Sequence, residues 1–182
     1  AIHALAKGAS DGLKLALNIA AMLLAFLAVV YMLNYFLGIF GDITTINQWI
    51  KSSSGGQFNK LSMEFLLGQI FRLFAFMIGI NWNETVLVGS LLGQKFVLNE
   101  FIAYVNLAEM KASGLLSEKS ILISTYALCG FANFSSIAIQ IGGIGSMAPS
   151  RQKDISKLGL RALLAATLAT LLTGNIAGFI IA

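Results

Sequence analysis

From residue 15 to residue 40 the sequence carries no charged side chain, and from 162 to 182 it again carries none. A helix needs about 20 consecutive apolar residues to cross the roughly 30 Å hydrocarbon core of a bilayer. Both runs meet that length, and composition agrees: 57% of residues are apolar and 11% charged, with a mean hydropathy of +0.82. A single proline favours helices over strands and turns. The expected fold class is an all-α membrane protein.

The net charge of +4 and pI near 9.3 would suit nucleic acid if the basic residues clustered. They are instead scattered near the ends of apolar runs, the placement of topology determinants, so nucleic acid is not expected as a partner. One cysteine, Cys129, cannot form an internal disulfide and reads as a small core residue. His3 and Cys129 are too far apart in sequence to suggest a metal site. Gly142-Gly143-x-Gly145 lacks the Lys-Ser/Thr ending and preceding strand of a phosphate loop, and reads as a close-packing device. Ser135, Ser136 and His3 have no acid to orient a base, so hydrolysis is not expected, and neither an enzyme nor a cofactor is implied. The chain starts at Ala1 with no basic segment before an apolar core. No signal peptide is visible, and the expectation is the C-terminal part of a longer protein.

Taken in order, residues 1–40 read as an approach segment followed by a spanning helix over 13–40, where Asn18 and Asn34 are the strongly polar side chains. Residues 41–84 read as a polar loop over 41–57, ending in Ser-Ser-Ser-Gly-Gly, and then an amphipathic interfacial helix. In that helix Phe58, Leu61, Phe65, Leu66, Ile70, Leu73 and Met77 recur at helical spacing against Lys60, Glu64, Gln69 and Arg72. Such a helix lies along a membrane surface or against other helices; a tilted spanning helix is opposed by Glu64 and Arg72. Trp82-Asn83-Glu84-Thr85 looks like an interfacial aromatic followed by a helix start.

Two short helices are expected over 85–98 and 101–112, about 21 and 18 Å long. Neither crosses a bilayer alone. One solution is a helical hairpin over 85–113 that enters and leaves by the same face, its tip near Asn99 and Glu100; the other is one continuous spanning helix carrying a buried Glu. Residues 117–148 form a run long enough to span, interrupted near its middle by the polar, Gly-flanked Phe131-Ala132-Asn133-Phe134-Ser135-Ser136. A broken helix there exposes backbone groups and dipole ends, while an unbroken helix would bond its Ser and Asn to neighbours. After Pro149, four basic residues, Arg151, Lys153, Lys157 and Arg161, stand against Asp154 alone. A closing spanning helix follows over 155–182. The positive-inside rule puts 150–161 in the cytoplasm, and with it Lys7 and Lys14, if 58–113 crosses an even number of times. The hairpin's ends and the C-terminus then lie outside.

The centre of the chain is the stretch 93–104, where Lys95, Asn99 and Glu100 interrupt an apolar run. An acid there is costly unless water, a partner or a substrate compensates it. Glu100 and Asn99 at one tip, with Asn133 and Ser136 at another, offer carboxylate, amide and hydroxyl groups suited to a neutral, multiply hydroxylated ligand. Phe131 and Phe134 would supply an apolar wall. Lys95 reads either as a counter-charge or as part of the hairpin's structure.

The pattern Gly93-x-Lys95-x-x-x-Asn99-Glu100-Phe101-x-Ala103-Tyr104 resembles the signature of the concentrative nucleoside transporters. So does Tyr126-Ala-Leu-Cys-Gly-Phe131-Ala-Asn133-Phe-Ser-Ser136-Ile137, and Gly8-Ala-Ser-Asp-Gly-Leu13 fits as well. The resemblance covers essentially the whole chain, but only the C-terminal part of a family member. It implies a bacterial inner-membrane homotrimer with a scaffold helix near the trimer interface, a re-entrant hairpin at 85–112 and a partly unwound helix at 118–148. It also implies a cation-coupled symporter for uridine-like nucleosides. Glu100 then matches the carboxylate that binds ribose hydroxyls, Asn133 and Ser136 the polar ribose ligands, and Phe131 the aromatic beside them; Asn99 joins them at the tip. The missing N-terminal half would hold the nucleobase and most of the coupling-cation site, with sodium favoured over proton. A channel subunit with a re-entrant filter and a ligand-free structural subunit are the competing classes.

Overall fold

The computed structural model describes residues 2–53, 56, 58–147 and 149–181, and every regular element among them is helical. The long helix α1 (Ile2–Ile43) contains the whole 13–40 apolar run without a break. Leu13, Leu17 and Leu24 along it are well exposed. Asn34, whose amide would be costly in that run without a partner, donates to both carboxylate oxygens of Glu64 at 3.2 and 3.0 Å and accepts from the Met63 N–H at 2.8 Å. One amide thereby satisfies itself and an acid while fixing α1 to the start of α3 (Met63–Met77).

The segment read as a polar loop contains a helix, α2 (Ile46–Ser53), while residues 54, 55 and 57 of that loop lie outside the described residues. Ile46 and Ile50 share one face, and Ile50 is fully buried with Leu61 and Phe65. Buried Asn47 turns α2 back against α1: its Nδ2 donates to the Gly38 carbonyl at 2.9 Å and its Oδ1 accepts from the Leu61 N–H at 2.7 Å.

α3 lies against α4 (Thr85–Val97), and backbones this close require glycine. A Cβ on Gly89 would sit 2.6 Å from the Gly68 carbonyl oxygen. Arg72 of α3 stacks 4.0 Å over the Trp82 ring and donates from Nε to Thr85 Oγ1 at 3.1 Å. The two charges that argued against a spanning reading of this segment are thus both partnered within the fold. An exposed helical Gly→Ala change ordinarily stabilises by about 0.4–1 kcal/mol. Gly89→Ala is expected to reverse that sign and cost about 1–3 kcal/mol through overpacking. Gly38→Ala, whose Cβ meets only Lys60 Cδ at 3.7 Å, is expected to be neutral or mildly stabilising. Melting temperatures of the two variants check the contrast, and equal values would contradict this packing.

α4 is followed by α5 (Glu100–Ala112), with Leu98 (φ −95°, ψ −92°) and extended Asn99 between them. The continuous-helix alternative for 85–112 therefore does not describe this chain. Asn106 Nδ2 donates to Gln94 Oε1 across the pair. The 117–148 run is likewise two helices, α6 (Glu118–Leu128) and α7 (Phe134–Met147). Both lie against α8 (Gln152–Ile181). The packing expected of Gly142, Gly143 and Gly145 lies outside the described side chains. Cys129 is exposed, against the expectation of a core residue, because it falls in the gap between α6 and α7 and not on a helix face. Among the described residues, Lys153–Ile180 is the helix long and apolar enough to cross a membrane by itself; Ala28–Ile43 with Ile46–Ser52 qualifies only as one span bent by 96°.

Candidate functional site

Two helix beginnings meet at the site, and each begins on an asparagine. Asn99 caps α5, its Oδ1 accepting from the Ile102 N–H at 3.0 Å. Asn133 stands before α7, and its Oδ1 accepts from the Ser136 N–H at 2.8 Å. Asn is a preferred cap because its short side chain reaches the unpaired N–H groups of the first turn. That tendency alone explains why both helices restart where they do.

Asn133 does more than cap. Its Oδ1 also accepts from Ser136 Oγ and Ser135 Oγ, both at 2.7 Å, and its Nδ2 donates to Glu100 Oε2 at 2.9 Å. With oxygen facing three donors and nitrogen facing a carboxylate, the amide has one consistent orientation. The side chain is 1% exposed, so each of these bonds is made where a missing partner would be costly. Ser135 Oγ, whose hydrogen goes to Asn133, also lies 3.4 Å from the Leu98 carbonyl oxygen, which places the first turn of α7 beside the hairpin tip.

Glu100 is the first residue of α5, where the positive end of the helix dipole favours an anion. It is partly exposed, and Oε1 has no protein donor among the described residues. An ionised carboxylate offers about four acceptor positions, so one bond to Asn133 leaves room for hydroxyl donors from a ligand. Phe131, Asn133 and Ser136 line one cavity of about 140 Å³ together with Gln140, Gly159 and Leu163. Phe131 is 76% exposed, a large aromatic held out of the core beside that cavity. Phe134 instead packs edge-on against Phe96 of α4, centroids 5.1 Å apart.

Of the residues singled out from sequence, Glu100, Asn133 and Ser136 form one network, and Phe131 borders it. Asn99 is 7% exposed and its oxygen is committed to the cap. Ser135 and the Leu98 carbonyl were missed as members of the network, although a serine two residues after a capping asparagine is a readable signal. Gln140 was missed as well. Lys95 makes no hydrogen bond to Glu100; Nζ reaches Ala127 and Thr170. No group of three or more His, Cys, Asp or Glu side chains able to hold a metal ion occurs among the described residues.

Two interrupted helix pairs thus bring an acid and an amide together between their breaks. Residues 1–178 match the sequence profile of the family described as Na+ dependent nucleoside transporter C-terminus. The chain belongs to this family. It is 48% identical to an uncharacterized transporter, YutK, of Bacillus subtilis, covering 99% of this chain and 41% of that protein. It is 40% identical to the nucleoside permease NupC of Helicobacter pylori, over 100% of this chain and 41% of that protein. Solute carrier family 28 member 3 of Homo sapiens is 39% identical, with 98% and 26% covered. The structure of CNTnw in an inward-facing substrate-bound state superposes with a TM-score of 0.80 at 38% identity, over 95% of this chain and 40% of that one. The chain therefore spans about two fifths of the length of its bacterial relatives.

Proposed function

We propose that this chain is the ribose-binding part of a cation-coupled nucleoside symporter that works by alternating access. The observation that carries the reading is the 2.9 Å bond from Asn133 Nδ2 to Glu100 Oε2. It holds a carboxylate with spare acceptor capacity at the meeting point of two helix starts. In this reading Glu100 accepts hydrogen bonds from ribose hydroxyls, Asn133 and Ser136 orient the sugar, and Phe131 covers an apolar face. Asn99 contributes by holding the tip. The relatives include proteins named nucleoside permease, which supports nucleosides as the substrate class.

The α4–α5 pair is the re-entrant hairpin of this reading. Two 13-residue helices reach only about 20 Å each, so the pair returns to the face it entered by. α1 serves as the scaffold span of a homotrimer, and α8 closes the fold with its C-terminus outside the inner membrane. The nucleobase and the coupling cation, sodium rather than proton, are bound mostly by other parts of the full-length protein. The experiment is uridine uptake by the full-length protein in proteoliposomes under a sodium gradient and then under a proton gradient. Saturable uptake driven by sodium is expected. Flux that neither saturates nor follows a gradient would replace this reading with a channel.

A further inference from the structure

Lys95 lies on α4, five residues before Glu100, and is 3% exposed. The transport reading gives it no part. An ammonium withdrawn from water is unfavourable unless protein acceptors replace its hydration. Here Nζ donates to the Ala127 carbonyl at 2.9 Å and to Thr170 Oγ1 at 2.8 Å. Both acceptors suit a cation. Ala127 is the next-to-last residue of α6, where helix carbonyls lack intrahelical donors and the dipole's negative end lies. Thr170 donates its hydroxyl hydrogen to the Thr167 carbonyl at 2.9 Å, which leaves its lone pairs for Nζ.

The ammonium thus joins the hairpin, the end of α6 and α8 at one point. Thr170 also packs on the break itself. Gly130 has φ 143°, and a Cβ there would sit 2.8 Å from Thr170 Cγ2. Three residues further on, Asn133 meets Glu100. The hairpin therefore holds the 129–133 break at both ends, with Lys95 on the Ala127 carbonyl before it and Glu100 on Asn133 at its close.

We propose that Lys95 is a positioning residue: its ammonium is a resident cation that closes the end of α6 and so holds the break where Asn133 meets Glu100. For its consequence on ligand binding this rests on the nucleoside reading; for the geometry of the break it does not.

Hydrogen exchange in the nucleoside-free full-length protein tests the geometry. Lys95→Met keeps an unbranched apolar side chain and removes the charge. It is expected to speed exchange of the amides at 129–136 by on the order of 10-fold or more, the worth of a charge-assisted hydrogen bond, with α3 unaffected. Thr170→Val is expected to give a smaller acceleration at the same amides, and keeps the test open if Lys95→Met fails to assemble. In Lys95→Ala, added propylammonium, which replaces the missing atoms, is expected to slow exchange back. Nucleoside affinity of Lys95→Met is expected to fall roughly 10- to 100-fold. Unchanged exchange at 129–136, acceleration spread evenly over α3 and α8, or no recovery with propylammonium would each overturn the proposal. If the parent protein binds no nucleoside yet shows this exchange pattern, the transport reading fails and the role of Lys95 stands.

Discussion

Replacing Glu100 with Gln is expected to abolish measurable nucleoside uptake while the protein still inserts and assembles. The amide oxygen of Gln can still accept from Asn133 Nδ2, so the 2.9 Å contact between tip and break keeps a donor and an acceptor. What is lost is the charge that strengthens every hydrogen bond a ligand hydroxyl makes to this group. Bonds to charged acceptors are worth about 1.5–3 kcal/mol each, so two of them amount to about 3 kcal/mol or more. That corresponds to roughly a 10²-fold or greater loss of affinity. Glu100→Ala should show the same loss with an added defect in stability, because it leaves the 1%-exposed Asn133 amide without its acceptor. Equilibrium binding of uridine, measured beside uptake and thermal stability, separates the two effects. Wild-type uptake in Glu100→Gln would remove Glu100 from the site.

Asn133→Ala is expected to be the most damaging single truncation in the network. It removes the cap of α7 and the acceptor shared by Ser135 Oγ, Ser136 Oγ and the Ser136 N–H. Loss of an asparagine cap costs about 0.5–2 kcal/mol. Each buried donor left unpaired adds about 1–3 kcal/mol, which puts the total at about 3 kcal/mol or more. Binding should be lost together with stability. Asn133→Asp separates the two: Asp caps a helix as well as Asn, so α7 should hold, but a second carboxylate then faces Glu100 where a hydrogen bond stood. A protein that keeps α7 but is less stable than the parent at neutral pH, and binds no uridine, is the expected result, with stability recovering at a pH low enough for the two carboxyls to share a proton. Normal binding in Asn133→Asp would show that the amide-to-carboxylate contact is dispensable.

Local sequence expresses the two capping asparagines but not the contacts of Lys95. Helix starts are local events, set by a side chain and N–H groups two or three residues on. Asn99 and Asn133 therefore mark the tip and the break within the sequence itself, and Gly130 and the polar stretch after it mark where α6 stops. Charge-free runs are local as well, which makes 15–40 and 162–182 legible as apolar helices. α2 is harder to see: eight residues with one buried and one half-buried isoleucine fall below the length at which helical periodicity stands out from a polar loop.

Sequence alone thus determined the class of the chain, the helices flanking the candidate site and three of the polar residues that meet there, Glu100, Asn133 and Ser136, because propensity, capping and hydropathy act over a few neighbours. Only the tertiary structure decided who those residues meet. Lys95 reaches a carbonyl 32 residues away and a hydroxyl 75 residues away, and Asn34 finds Glu64 across 30. No spacing rule encodes such pairs. They form because a polar group buried among apolar helices must find a partner, and which partner lies within about 3 Å is set by how the helices pack.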